Sequence, residues 1–136
     1  MAHKYHVAGL GNAIVDVIAR VEDDFLLTHK IAKGAMTLID DFRALELSQA
    51  LAQAGNAHEV AGGSVANTMA GLASLGARGV YVGKVHDDRL GTVFGASMRG
   101  LGVDYTTPLG TAGAATASCM IAVTPDGQRS MSTYLG

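Results

Sequence analysis

The stretch from Ala61 to Gly76, Ala-Gly-Gly-Ser-Val-Ala-Asn-Thr-Met-Ala-Gly-Leu-Ala-Ser-Leu-Gly, limits the folds open to this chain more than any other. It reads as a loop that turns into a helix. Gly62 and Gly63 free the backbone to take positive φ and let another group come close to main-chain atoms that a Cβ would shield. Ser64 suits an N-cap, and Val65, Met69, Leu72 and Gly76 recur at helical spacing, which predicts one inward face. Asn67 projects from the first turn, beside N–H groups without helical acceptors and at the positive end of the helix dipole, where a polar ligand could be held. The plainer reading of the same string is a glycine turn and a capped, small-residue helix packed on a sheet.

A second constraint is one carboxylate inside an apolar run, Ile14-Val15-Asp16-Val17-Ile18. In an extended chain side chains alternate, so Asn12, Ile14 and Asp16 point to one side. An unpaired buried carboxylate is costly, and Asp16 is therefore partnered, solvated through a cleft, or set to meet a ligand's hydroxyls. Gly9-Leu-Gly11 starts like a dinucleotide fingerprint, but Ile14 stands where the third glycine belongs and no helix signal follows. That match is set aside.

The remaining segments alternate strand and helix. Strands are expected over Tyr5 to Gly11, Asn12 to Val21, Ala35 to Ile39, Ala57 to Val60, Gly79 to Val85 and Val103 to Thr107, with a short helix around Asp24 to His29. Asp40 or Asp41 caps a helix carrying Ala44, Leu47, Leu51 and Ala54 on one face, closed by Gly55-Asn56. Asp87 or Asp88 caps another, with Leu90, Phe94, Ser97 and Leu101 on its face and Gly102 at its end. The Ala61 to Gly76 helix between two strands predicts a parallel β-α-β pair. Ala114 to Val123 and Gln128 to Leu135 flank Thr124-Pro125-Asp126-Gly127, a type I turn by its proline and glycine positions. Gly83-Lys84 is no Walker A loop, because Arg78 and Val85 stand where that motif needs glycine and Ser or Thr.

Composition narrows the function classes. A length of 136 residues fits one domain, and a net charge of −2 with scattered arginines gives no basic stripe for nucleic acid. Cys119 is the only cysteine, which excludes an internal disulfide framework and a cysteine zinc cluster and fits a reducing cytoplasm. His3, His6, His29, His58 and His86 lack ligand spacing, so no structural metal is expected. Val60 to Ala77 and Tyr105 to Pro125 are uncharged but too polar and glycine-rich to span a membrane, and Met1 to Leu10 has no apolar leader core. The chain is expected to be soluble and cytoplasmic.

Three motifs occur in a telling order: Gly-Asn-Ala-Ile-Val-Asp at 11 to 16, Gly-Gly-Ser-Val-Ala-Asn at 62 to 67, and Gly-Lys-Val-His-Asp-Asp-Arg-Leu-Gly at 83 to 91. Together they resemble the amino-terminal part of the ribokinase-like family, the phosphofructokinase-B-type carbohydrate and nucleoside kinases. The interval from Asp16 to Gly62 and the Ala-Thr-Ala-Ser-Cys-Met run are more similar to adenosine kinases than to ribokinase. The resemblance implies an α/β fold, a Rossmann-type parallel sheet flanked by helices, with a small β lid formed near 12–21, 35–39 and 114–135 over the substrate. It implies a sugar-hydroxyl site: Asp16 accepting from ribose hydroxyls, Asn12 orienting the same sugar, Gly62 and Gly63 bringing backbone N–H groups, and Ser64 and Asn67 alongside.

The same resemblance implies ATP and Mg2+ for the complete enzyme, and a Gly-Ala-Gly-Asp segment that holds phosphate and acts on the acceptor hydroxyl. No such string occurs here. Residues 1–136 are thus expected to form the substrate-binding and lid part of one kinase domain, with the carboxyl-terminal half absent, no catalytic residue of their own, and that half or a second copy as partner. Met36, Ile121 and Leu135 could line a slot for the base. Competing readings are a kinase for ribose, fructose or a deoxysugar acid, and a non-catalytic nucleoside- or sugar-binding module.

Overall fold

The structure is a computed structural model and describes residues 4–136. His3 and the first residues of the Met1 to Leu10 stretch lie outside the described residues. In chain order the elements are β1 (Val7–Leu10), β2 (Ile14–Arg20), α1 (Asp23–Thr28), β3 (Met36–Leu38), α2 (Asp41–Gln53), β4 (His58–Gly62), α3 (Ser64–Ser74), β5 (Gly79–Val82), α4 (Arg89–Gly100), β6 (Val103–Tyr105), β7 (Ala117–Val123) and β8 (Arg129–Tyr134). The fold is α/β, and the chain divides into two compact units. One comprises the chain up to Val15 with Val60–Ala117, the other Asp16–Glu59 with Ser118–Gly136.

In the first unit β1, β5 and β6 form a parallel sheet in that order, with Gly79 opposite both Val7 and Val103. Helices α3 and α4 pack on it. The core holds Met69, Tyr81, Val85, Phe94, Met98, Val103 and Tyr105. Gly9 explains how close α3 comes: a Cβ there would lie 2.9 Å from both Met69 and Val65. Gly79 is equally committed, since its Cβ would collide with the Met69 methyl. The Gly9-Leu-Gly11 string thus serves helix packing. Residues alternate along a strand, so Ala8, Leu10, Val80 and Val82 face away from α3 and α4, and Leu10 is 78% exposed. Parallel sheets are ordinarily covered on both faces.

Three local expectations are corrected here. The strands before and after α3 do not pair: β4 joins the other sheet beside β2, and β5 lies between β1 and β6. The β-α-β unit within this sheet is β5-α4-β6. Ser64 is not the cap, because the cap position falls on Gly63 with φ 89° and ψ 144° and no side-chain hydrogen bond closes it. Gly76 is not on the buried face either. It follows the helix end in the left-handed region, φ 85°, and is exposed.

In the second unit the sheet order is β3-β8-β7-β2-β4, with β3 parallel to β8 and β7 antiparallel to β8. The Thr124–Gly127 turn closes through the Gly127 N–H donating to the Thr124 carbonyl, 2.8 Å. One face buries Val17, Ala19, Met120 and Ala122 against Leu26 of α1 and Ala44, Leu47 and Leu51 of α2. Asp40 caps α2 by accepting from the Arg43 N–H at 2.8 Å. Lys33 ties α1 to the hairpin turn, 2.7 Å from Asp23 and 2.8 Å from Asp126. The Asn56 amide grips the end of β2, accepting from the Arg20 N–H and donating to the Arg20 carbonyl.

Candidate functional site

The carboxyl ends of parallel strands are where open α/β sheets bind ligands, and in the first unit the candidate residues gather there. Asn12 follows β1, and Gly62 and Gly63 join β4 to α3. A Cβ on Gly63 would lie 2.9 Å from the Asn12 carbonyl oxygen, so the bare Gly63 backbone lets the turn after β1 seat against the start of α3. The Gly63 carbonyl accepts from the Asn67 N–H at 2.9 Å and opens the helix. Gly62 is buried, whereas Asn12, Ser64 and Asn67 are exposed. The first N–H groups of α3 have no helical acceptors, and polar side chains flank them. That arrangement suits hydroxyls or another polar group.

Asp88 is an anchor for the same end of the sheet. Of the two expected caps of α4 it is the one used, its carboxylate accepting from the Gly91 N–H at 2.7 Å. It also accepts from the Thr116 N–H at 2.9 Å and from the Thr116 hydroxyl at 2.8 Å, while the His86 N–H donates to the same hydroxyl. Burial pushes its pKa up, but the Thr116 and Gly91 hydrogen bonds, with His86 nearby, outweigh it and leave the pKa below the usual carboxylate value. The reading as a structural cap therefore stands, and Thr116 is the partner that local sequence could not reveal.

Asp16 belongs to the second unit. Along β2 burial alternates, with Val15, Val17 and Ala19 inward and Ile14, Asp16 and Ile18 half-buried on the opposite side. Register extends that second face across the sheet. Met131 pairs with Met36 and with Ile121, and Thr133 with Leu38 and Cys119, leaving Met120 and Ala122 to the helix side. Asp16 thus sits on a face made largely of Ile18, Ile121, Met131, Met36 and Leu38, the last two 58% and 60% exposed. Among the described residues its carboxylate has no hydrogen bond and no cation within ion-pair distance. Burial raises its pKa, and the Arg129 charge offsets this only in part. Cys119 on this face is a thiol pushed up by burial, accepting a hydrogen bond from the Thr133 hydroxyl at 3.2 Å.

Of the base-slot residues, Met36 and Ile121 share the Asp16 face, while Leu135 lies just past β8. Sequence reasoning passed over Tyr81. Its ring is fully buried against Phe94 and Tyr105, and its hydroxyl lies 3.2 Å from the place a Gly11 Cβ would take. An aromatic residue in a β-branched run gave only a strand signal.

Comparison with known proteins gives a consistent set of likenesses. The family model described as pfkB family carbohydrate kinase matches residues 29–136. The solved adenosine kinase from Sinorhizobium meliloti is 51% identical with a TM-score of 0.83, over 98% of this chain and 40% of that one. A "probable sugar kinase protein" from Rhizobium etli is 47% identical with a TM-score of 0.83, over 98% of this chain and 39% of that one. Among curated proteins, fructokinase-1 of Oryza sativa subsp. japonica is 33% identical over 71% of this chain. The chain spans about 30% of that relative's length.

Proposed function

The chain belongs to the pfkB family of carbohydrate kinases, and from that membership we propose that it forms the acceptor-substrate side of an ATP-dependent kinase phosphorylating a ribose primary hydroxyl, in adenosine or a similar nucleoside. The observation that carries the reading is Asp16, a half-buried carboxylate without a protein partner among the described residues, on a sheet face that is mostly apolar around it. A carboxylate only accepts, and vicinal hydroxyls offer two donors, so the pair makes charge-assisted bonds stronger than neutral ones. Asn12 orients the same sugar, the Gly62 and Gly63 N–H groups and the Ser64 and Asn67 side chains complete its polar surroundings, and Met36 and Ile121 meet the base. The strands near 12–21, 35–39 and 114–135 act as the lid, and its closure keeps out water that would otherwise accept the phosphoryl group. Likeness to the S. meliloti adenosine kinase supports a nucleoside. Likeness to fructokinase supports a free sugar as the second reading.

Membership of the family implies ATP and Mg2+ in the full enzyme. The described residues hold no cluster of three or more His, Cys, Asp or Glu suited to a metal, and the sequence has no Gly-Ala-Gly-Asp string. No step through either group is assigned to these residues; what they do is bind, orient and shield the acceptor. The test is calorimetry of adenosine, ribose and fructose on the wild-type chain and on Asp16→Asn. The substitution is expected to weaken binding of the preferred compound by about 1.5–3 kcal/mol, roughly tenfold to over a hundredfold. Because the fold charges Asp16 for its burial without pairing it, the same variant is expected to be at least as stable as wild type at neutral pH. Unchanged affinity with a large stability loss would instead mark Asp16 as a structural residue.

A further inference from the structure

The aromatic core of the first unit contains two buried phenols in different circumstances. The Tyr105 hydroxyl donates to the Gly83 carbonyl at 2.9 Å. Tyr81, 0% exposed, has a buried hydroxyl with no hydrogen-bond partner among the described residues. A phenylalanine would fill nearly the same space without stranding a polar atom, so this hydroxyl is a cost to the fold unless another state uses it.

The neighbours indicate which state. A Cβ built on Gly83 would lie 2.6 Å from the Gly11 carbonyl oxygen and 2.9 Å from the Tyr81 hydroxyl, so an unused donor and a backbone acceptor stand close to one point without bonding to each other. The ring cannot swing to close that gap, being wedged 5.4 Å from the Phe94 centroid and 6.0 Å from that of Tyr105. The turn can move. It leaves β1 through Gly11, and Asn12 is its exposed next residue. We propose that Tyr81 is a positioning residue for this turn: its hydroxyl donates to the Gly11 carbonyl when Asn12 engages the acceptor substrate, and lacks that bond in the free chain. The inference rests on the reading of Asn12 given under Proposed function. Burial pushes the Tyr81 phenol up to about 12, so it remains a donor throughout the physiological range.

Thermal unfolding and adenosine calorimetry on wild type, Tyr81→Phe and Tyr105→Phe test this. Tyr81→Phe is expected to raise the ligand-free melting midpoint by about 2–6 °C, whereas Tyr105→Phe, which removes a satisfied bond, lowers it. Tyr81→Phe is also expected to weaken adenosine binding about three- to tenfold, one neutral hydrogen bond's worth. A lowered midpoint for Tyr81→Phe would mean the hydroxyl is already bonded in the free chain, and overturns the proposal without any ligand. Undiminished adenosine affinity overturns it too, and leaves the substrate reading intact. A wild-type chain that binds neither adenosine, ribose nor fructose refutes the substrate reading and this proposal together.

Discussion

Replacing Gly63 by alanine isolates the device that seats the turn after β1 against α3. Two penalties combine there. At φ 89° and ψ 144° an L residue sits in a region nearly reserved for glycine, worth about 1–3 kcal/mol of strain. The new Cβ would also lie 2.9 Å from the Asn12 carbonyl oxygen, a backbone atom, and overpacking of that kind costs about 1–3 kcal/mol. The unfolded state returns about 0.4–1 kcal/mol, because alanine has fewer conformations to lose, leaving a net loss of about 2–5 kcal/mol. Gly55 supplies the control: its φ is 77° and nothing lies within 4 Å of its added Cβ. Gly55→Ala therefore bears strain alone, a net loss of about 1 kcal/mol. Urea denaturation with linear extrapolation gives both numbers on one scale. Equal losses would show that the approach to Asn12 has no energetic consequence, and the argument that Gly63 fixes this turn would fail.

Other outcomes follow from the same contacts. Met69, 1% exposed and lodged over Gly9 and Gly79, is expected to cost about 2–5 kcal/mol as Met69→Ala in the same denaturation series, and a loss under about 1 kcal/mol would mean α3 collapses freely onto the glycines. Asp88, whose folded pKa is lowered, contributes stability that is present above its unfolded pKa of about 3.9 and is lost as pH falls through the folded value. Asp88→Asn should accordingly flatten the acid limb of the stability curve; an unaltered limb would refute the assignment. Asp16 has the opposite sign. Its folded pKa is raised, so wild type loses stability as pH climbs from the unfolded toward the folded value, and Asp16→Asn should remove that decline.

Features decided within a few residues were legible in the sequence. Of the expected pairs Asp40 or Asp41 and Asp87 or Asp88, the first and the last cap their helices, Gly102 ends α4 with φ 80°, and the Thr124–Gly127 turn closes as read, because each depends on local geometry. Asp16 stood out because a charge in an alternating apolar strand is costly wherever the strand goes. Strand pairing was another matter. Whether β4 lies beside β5 or beside β2 depends on partners far along the chain, and β-α-β spacing cannot distinguish the two. Ser64 was misread as the cap because the conformation of Gly63 shifts the helix start by one residue. Strand ends were read long, as at Gly79 to Val85, where pairing stops at Val82 and the apolar run continues as loop. The strandedness of the Tyr81 hydroxyl depends on the positions of Gly11 and Gly83, which no residue pattern specifies.

The interleaving of the two units has a consequence in time. Val60–Ala117 is one unbroken stretch that holds most of the first unit, including β5, α4 and β6, and β6 follows its partner β5 after a single helix. The second unit begins at Asp16 and is completed only by the hairpin of β7 and β8. Strand β3 pairs with β8, and the adjoining Gly34 N–H finds its acceptor, the Ser130 hydroxyl, 96 residues further on. A ribosome would thus emit Met36–Leu38 long before its partner exists, at about 5–20 residues per second. Long-range pairings of this kind form slowly. During that interval the apolar edge of β3 and the face of α2 meant for Met120 and Ala122 have only solvent, or another nascent chain, to meet. Slow elongation across Val60–Ala117 would lengthen the exposure, so the aggregation hazard of the second unit is set by when β7 and β8 arrive as much as by the stability they confer.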